Sequence, residues 1–462
     1  MPQHCRTRTT SVWVLGLAVT AAGTGAVAQS QGPPSPVTFQ QAVQYAADTY
    51  PAIQASAARV SAQEAGVDLA RTAYLPRLDS VVQINRATRN NVPGLLLPGT
   101  PLPPISGPAS DSASSSSIWG SAGGLLLSWE AYDFGQRGAS VELARAQLTR
   151  ARAGATLTRL EVGIHTAEAF LRLAAAQETV RAARANVERQ EVFANAVAVR
   201  VKNQLRPGAD DSRAQAELAL ARIRLIQAEQ AEQIGRASLA QWLGVAPGDV
   251  RIDPARVLTA PPSPVALPSV DAHPLAETQT AAVESTRAFQ NLVARSFFPR
   301  IQFQTAYSLR GTGALADGTN LGGGLDFETP NWAAGVTASF PLFDWFSVRE
   351  QVRIEEENER AELATYAQIT TELSSLSQQA QAELEGARRV AENTPIQLAS
   401  ARVLEQQARA RYDAGLAEIL EVADAQRLLL EAEVGDAVAR LGVWRALVAE
   451  AAARGDLSEL LR

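Results

Sequence analysis

The sequence predicts a mainly α fold with a small β-barrel contribution, internally duplicated. Three observations carry that prediction. Residues 128–215 and 339–426 match without a gap: Asp133 answers Asp344, Arg200 answers Arg411, Leu205 answers Leu416, and Ala214-Gln215 answers Ala425-Gln426, each 211 positions on. Leu218 and Leu429 extend the match. Gly135–Asn203 contains no proline and Ser347–Ala414 contains only Pro395, so each copy holds a helix of about 68 residues, ~100 Å of rod at 1.5 Å per residue. Ahead of each helix lie two segments in which apolar and polar residues alternate, the period of a half-buried strand.

Taken in order, the chain opens on a targeting segment. Arg6 and Arg8 precede an apolar, small-residue run from Ser11 to Val27, and Ala26-Val27-Ala28 has the small-x-small form of a cleavage site. Residues 1–28 are expected to be removed, and with them Cys5, the sole cysteine. An exported chain without thiols or disulfides would remain, with no cysteine at its new end to carry a lipid. The formal charge of −6 and the lack of any basic run argue against nucleic acid. Past the leader no stretch approaches the roughly 18 apolar residues of a spanning helix, so entry into a membrane would have to use strands.

The first repeat occupies 29–255. Residues 37–74 read as helix, broken near Tyr50-Pro51. A strand–loop–strand unit follows over 75–132. Leu75–Thr88 sets Leu78, Ser80, Val82 and Ile84 against Asp79, Gln83 and Asn85. Arg89–Ser117 is a Pro-, Gly- and Ser-rich loop, and Ile118–Tyr132 carries Trp119, Leu125, Leu127 and Trp129 in one parity. A helical hairpin over 135–244 turns at Asn203–Gly208. Val245–Pro274 is a Pro-rich linker. The second repeat, 256–462, has a helix at 273–297, strand–loop–strand over 298–343 and a hairpin over 347–453 turning at Ala414–Ala417. Its strands alternate cleanly: Ile301, Phe303, Thr305, Tyr307 and Leu309 in one, Trp332, Ala334, Val336, Ala338, Phe340 and Leu342 in the other.

Each strand has one apolar and one small or polar face and is close to the ~9–11 tilted residues that cross a bilayer. Aromatic residues gather near the strand ends: Trp119 and Trp332, then Trp129, Tyr132 and Phe134, with Phe340, Phe343 and Trp345 in matching places. That is the pattern of a membrane-interface girdle, and it predicts contact with lipid. The helices carry a seam, Ile164, Ala167, Leu171 and Ala174 in one copy, Ile369, Leu373, Leu376 and Ala380 in the other, where alanine lets rods approach closely. Pro395 is expected to kink or bulge its helix. The helices at 37–74 and 273–297 are expected to stack end to end with the shorter return arms. Four strands cannot close a barrel. Two chains would give eight strands and a filled barrel, three would give twelve and a lumen over twelve helical rods.

The strand ends Tyr132-Asp133-Phe134-Gly135 and Phe343-Asp344-Trp345-Phe346, and the run Arg411-Tyr412-Asp413-Ala414-Gly415-Leu416 followed by Glu421, Asp424, Ala425 and Gln426, resemble the TolC-type outer membrane efflux proteins over essentially all of the mature chain. The resemblance implies a homotrimer with a 12-strand β-barrel in the outer membrane of a Gram-negative bacterium, on a 12-helix α-barrel in the periplasm. It implies a passive exit duct that works with a periplasmic adaptor (membrane fusion protein) and an inner-membrane RND or ABC pump, with no enzymatic activity and no cofactor. The tips, with Arg200, Leu205, Arg206, Ala414, Gly415 and Leu416, would be gripped by the adaptor. The first tip, Asn203-Gln204-Leu205, lacks the glycine of the second. Glu421 and Asp424 lie three apart on one helix face, and threefold symmetry would make them a ring of six carboxylates at the tunnel mouth. Asp210, Arg411 and Tyr412 are expected at the same constriction, Arg411 and Arg206 being candidates to hold it shut because Ala417 stands where the family's arginine is expected. His165 and His273 have no partner at metal-ligand spacing, so no metal site is expected. Two hairpins and lipid-patterned strands separate the chain from a periplasmic adaptor, and no paired acid, base or nucleophile suggests an enzyme.

Overall fold

The computed structural model describes residues 32, 35–88, 117–259, 272–313 and 323–461. The chain divides into Met1–Gly32 and Pro33–Arg462, and every element below belongs to the second unit. The expected signal peptide, the loop at 89–116 and part of the linker at 260–271 lie outside the described residues.

After β1 (Val37–Thr38) come α1 (Phe39–Thr49) and α2 (Pro51–Thr72). Thr38 Oγ1 accepts the Gln41 N–H at 3.3 Å while the Gln41 side chain accepts the Thr38 N–H at 3.0 Å, a reciprocal cap that fixes where α1 starts. Tyr50 between the two helices is extended (φ −61°, ψ 136°), as a residue before proline prefers, and this makes the expected break. The strands β2 (Arg77–Thr88) and β3 (Ser117–Tyr132) lead into α3 (Gln136–Lys202) and its return arm α4 (Gly208–Leu243). The linker holds β4 (Ile252–Asp253) and α5 (Ala255–Leu258), neither foreseen. β4 pairs in parallel with β1 and ties the start of the chain to its middle. The second repeat supplies α6 (Pro274–Arg295), β5 (Arg300–Thr312), β6 (Thr329–Ser339), α7 (Trp345–Asp413) and α8 (Ile419–Arg454). Helix boundaries keep the spacing of the sequence match: Lys202 and Asp413, Gly208 and Ile419, and Leu243 and Arg454 are each 211 positions apart. Both α2 and α6 span 22 residues and open on a proline.

The four long strands form one antiparallel sheet in the order β2-β3-β5-β6. Register aligns the apolar parities expected from each strand. Leu78 stands beside Leu127, Leu125 beside Tyr307, Trp129 beside Phe303, and Phe303 beside Val336. One face is therefore largely apolar, interrupted by Ser80, Ser121, Thr305 and Arg86. The other carries Gln83, Ser128, Gln302, Gln304 and Thr337. A bulge between Glu130 and Tyr132 switches parity, so Tyr132 pairs with Ile301 and joins the apolar face although its number alone would place it on the other. β6 ends at Ser339 rather than at Leu342, and Ser339 pairs with Arg300, where its partner β5 begins.

No described helix is long and apolar enough to cross a membrane. On the strand side the helices pack in the order α2-α3-α6-α7, and on the tip side α4-α3-α8-α7. The core sits between, where Phe39 meets Phe170 and Trp444 at ring separations of 5.6 and 5.7 Å. The seam residues Ala167, Leu171 and Ala174 are buried, as are Leu373 and Ala380. Leu376 is exposed, because α7 is an edge helix of the single chain. α7 continues through Pro395. Proline cannot bond the carbonyl of Ala391; Thr394 Oγ1 lies 3.5 Å from that oxygen but closer, at 3.2 Å, to Asp436 Oδ1 on α8.

The turn from sheet to helix is built on Asp133. Its carboxylate accepts the N–H of Gly135 at 3.2 Å and the N–H and Nε of Arg137 at 2.6 and 3.0 Å. Arg137 lies over the Tyr74 ring at 4.7 Å. Burial disfavours the ionised carboxyl, but the bonds to Arg137 and Gly135 outweigh it and hold Asp133 below the usual carboxylate range. A lowered folded value stabilises above the unfolded value and loses its effect as pH falls through the folded one. Asp133→Asn should cost about 1.5–3 kcal/mol at neutral pH. Thermal unfolding of the purified protein should show a lower midpoint for the variant at pH 7, with a smaller difference near pH 3.

Candidate functional site

Both tips are built by the same backbone device. Where α3 ends, Leu205 N–H donates to Arg200 O at 2.9 Å and Gln204 N–H to Val201 O at 2.9 Å. Where α7 ends, Leu416 N–H donates to Arg411 O at 2.8 Å and Gly415 N–H to Tyr412 O at 3.0 Å. This 6→1 and 5→2 pair needs a left-handed residue at its centre. Gly415 supplies it at φ +79°, and Gln204 adopts it at φ +57° without glycine's freedom. The missing glycine does not change the first tip. It is carried as strain of about 1–2 kcal/mol. Leu205 and Leu416 then project, each 72 % exposed. Ala414 caps α7.

Tyr412 joins the two hairpins. It is fully buried, packed on Phe193 at a ring separation of 5.5 Å, and its hydroxyl donates to Asp210 Oδ2 at 3.2 Å. The Arg206 guanidinium lies 4.3 Å from its ring and donates to its carbonyl oxygen at 2.8 Å. Arg200 stands 5.6 Å from the ring and pairs with Asp413 at 2.8 Å. Burial and then the Asp210 carboxylate raise the Tyr412 hydroxyl above its ordinary range, against the pull of Arg206 and Arg200. The structure thus brings together Asp210, Tyr412, Arg206 and Arg200. Phe193, the floor of the cluster, was not foreseen. Its only signal is an aromatic residue among alanines and valines.

Glu421 and Asp424 sit apart from that cluster, one turn from each other on α8. Neither is bare: Glu421 lies 3.3 Å from Arg411 and Asp424 3.8 Å from Arg427. All four side chains are substantially exposed, so these pairs are weak.

Of the predicted girdle residues, Trp119, Trp129, Tyr132, Trp332, Phe340, Phe343 and Trp345 are all exposed. Trp129 Nε1 donates to Tyr74 O at 3.1 Å. Tyr132 packs edge-on against Phe134, and Phe297 bridges Phe340 and Trp345 at 5.3 and 5.1 Å. Trp332 stands beside Tyr307 rather than level with Trp119, because β6 has 11 residues and β3 has 16. The two histidines are structural. His273 Nδ1 accepts the Leu275 N–H at 3.1 Å and caps α6, with Nε2 3.0 Å from Ala452 O. His165 stacks on Trp242 at 5.1 Å.

Comparison with known proteins bears on this architecture. Protein CyaE of Bordetella pertussis is 23% identical over 389 residues, 81% of this chain and 75% of that protein. The CmeC outer membrane channel of Campylobacter jejuni shares the fold with a TM-score of 0.74 at 14% identity, over 95% of this chain and 94% of that one. The MtrE outer membrane channel of Neisseria gonorrhoeae, in its open state, does so with a TM-score of 0.72 at 18% identity, over 90% and 89%. The sequence model of the outer membrane efflux proteins matches residues 42–245 and 273–453. An apolar-faced sheet set on long hairpins, matched over most of its length by that model, belongs to the outer membrane efflux protein family, whose members are transport channels of the outer membrane reaching into the periplasm, not enzymes.

Proposed function

We propose that this chain is the exit duct of a tripartite efflux or type I secretion system. Three copies close a twelve-strand barrel on a twelve-helix tunnel, the two repeats of each chain being duplicates of one unit. The duct passively conducts what a periplasmic adaptor and an inner-membrane RND or ABC pump deliver. The observation that carries this reading is the sheet: among the described residues it has four strands, one largely apolar face, and outer edges at β2 and β6 without a partner strand. In hydrocarbon each unpaired backbone group costs several kcal/mol, so the edges must find strands from other copies. Two copies would leave a barrel filled by side chains, whereas three leave a passage. The helical layer supports the same closure. Its edge helices leave Ile223, Ile226 and Ile234 of α4, and Ile354, Leu376 and Ile396 of α7, exposed in the single chain. The protruding Leu205 and Leu416 suit apolar contact with an adaptor, with Arg200, Arg206, Ala414 and Gly415 framing them.

At the tunnel mouth, Glu421 and Asp424 form the carboxylate ring, and the Tyr412–Asp210 bond with Arg206 latches one hairpin to the other. Arg411 moderates the ring without cancelling it, since an exposed pair is worth only about 0–1 kcal/mol and its arginine can swing away.

Mass measurement of the detergent-solubilised protein should give a heat-modifiable trimer, and a monomer would sink the duct. In planar bilayers, a trivalent cation added on the tip side should block the pore, and Glu421→Gln with Asp424→Asn should abolish the block. Unchanged block removes the ring. Tyr412→Phe keeps the packing and loses only the bond to Asp210, worth about 1.5–3 kcal/mol to a charged acceptor, so its conductance should exceed that of the unmodified pore. A raised tyrosine value means that the latch is intact below about pH 10 and is lost as pH rises through the folded value. Conductance of the unmodified pore should therefore climb above pH 10, and that of Tyr412→Phe should not.

A further inference from the structure

Where the strands give way to helices, on the polar face of the sheet, lies a cavity of about 440 Å³. Glu130, Arg300, Gln136 and Gln351 supply its polar lining, and Leu292 and Val293 part of its apolar wall. It is separate from the tips, at the other end of the long helices. Two side chains distinguish it. Glu130 and Arg300 are both half-buried, and among the described residues neither has a hydrogen-bond or ion-pair partner. Arg137, also in the wall, is already bound to Asp133 and the Tyr74 ring.

Register places the two charges near each other on one face of the sheet. Glu130 pairs with Gln302, and Arg300 lies two positions from Gln302 on the same face. That diagonal spans roughly 7–8 Å between strands, within reach of long side chains, yet the two side chains form no ion pair in this structure. An anion and a cation, each partly desolvated and each unpaired, flank an apolar wall. Such charges gain more from a ligand than charges in open water do. The complement is a small molecule with a cationic amine at one end, a carboxylate at the other, and apolar body between. Its amine would meet Glu130, its carboxylate the fork of Arg300, and its body Leu292 and Val293.

We propose that this cavity is a binding site for zwitterionic, partly apolar small molecules passing through the duct. The proposal rests on the duct reading, in which this face of the sheet lines the lumen. Three probes test it by fluorescence anisotropy on the purified full-length protein near neutral pH: ciprofloxacin, which is zwitterionic and fluorescent; its methyl ester, which keeps only the cation; and nalidixic acid, which keeps only the anion. The unmodified protein should bind ciprofloxacin at least about tenfold more tightly than either single-charge analogue, as loss of one charged contact dictates. Glu130→Gln and Arg300→Gln should each remove that preference. Equal binding of all three probes, or variants that retain the preference, would overturn the site. The three-probe comparison on unmodified protein stands whether or not the variants assemble. Pore formation in planar bilayers is read separately, so a protein that binds the zwitterion selectively but forms no pore would refute the duct and keep the cavity.

Discussion

Backbone hydrogen bonding in a medium without water is the constraint on which the rest depends. β2 and β6 are the outer strands of an apolar-faced sheet, and among the described residues nothing pairs their outer edges. The same polarity runs down the molecule. One edge of every layer belongs to the first repeat, β2, α2 and α4, and the other to the second, β6 and α7. In the proposed duct, the two repeats would supply the two halves of a head-to-tail interface. An interface of that kind either closes into a ring or grows without limit, and tilted barrel strands favour closure at a definite number.

The two copies keep their geometry while their side chains diverge. Asp133 caps α3 through three hydrogen bonds, whereas its counterpart Asp344 makes no side-chain cap on α7. Gln204 holds the left-handed position that Gly415 holds more cheaply. At the tips the divergence has a direction. Ala417 stands where the resemblance calls for an arginine, and the position matching it in the first copy is Arg206, which lies on Tyr412. The counterpart of Tyr412 is Val201, and that of Asp210 is Glu421. Tyr412 comes from one copy and the arginines and carboxylate around it from the other.

How far the sequence could be read follows from the range of each interaction. Helix ends, strand parities and the proline break at Tyr50 are local, and the chain states them: 3.6- and 2-residue periods need no knowledge of neighbours. The Tyr412–Asp210 pairing was reachable through resemblance. The β1–β4 ladder was not, because two residues in parallel across the chain carry no periodic signal. The bulge beside Tyr132 was hidden for a related reason, since parity counts assume an unbroken pleat. Leu376 reads as a seam residue and is exposed because α7 is an edge helix of the single chain. The unpaired Glu130 and Arg300 depend on register, which only the folded sheet defines.

Where the apolar contacts are concentrated decides which part of the molecule can move. At mid-length, Phe39, Phe170 and Trp444 sit in a core that gathers elements from both repeats, including the short β1–β4 ladder. Parting the hairpins there would expose many large side chains at about 1.5–3 kcal/mol each. At the tips the principal large ring between hairpins is Tyr412, backed by Phe193, Leu218, Ile419 and smaller alanines and valines. Its remaining fastenings are a hydrogen bond to Asp210, the contacts of Arg206 and a partly exposed Arg200–Asp413 pair. Separation is cheapest at the end where the polar contacts are, while the middle stays closed. In the proposed duct, parting would therefore begin at the tips, and the strands beyond the waist would keep their pairing.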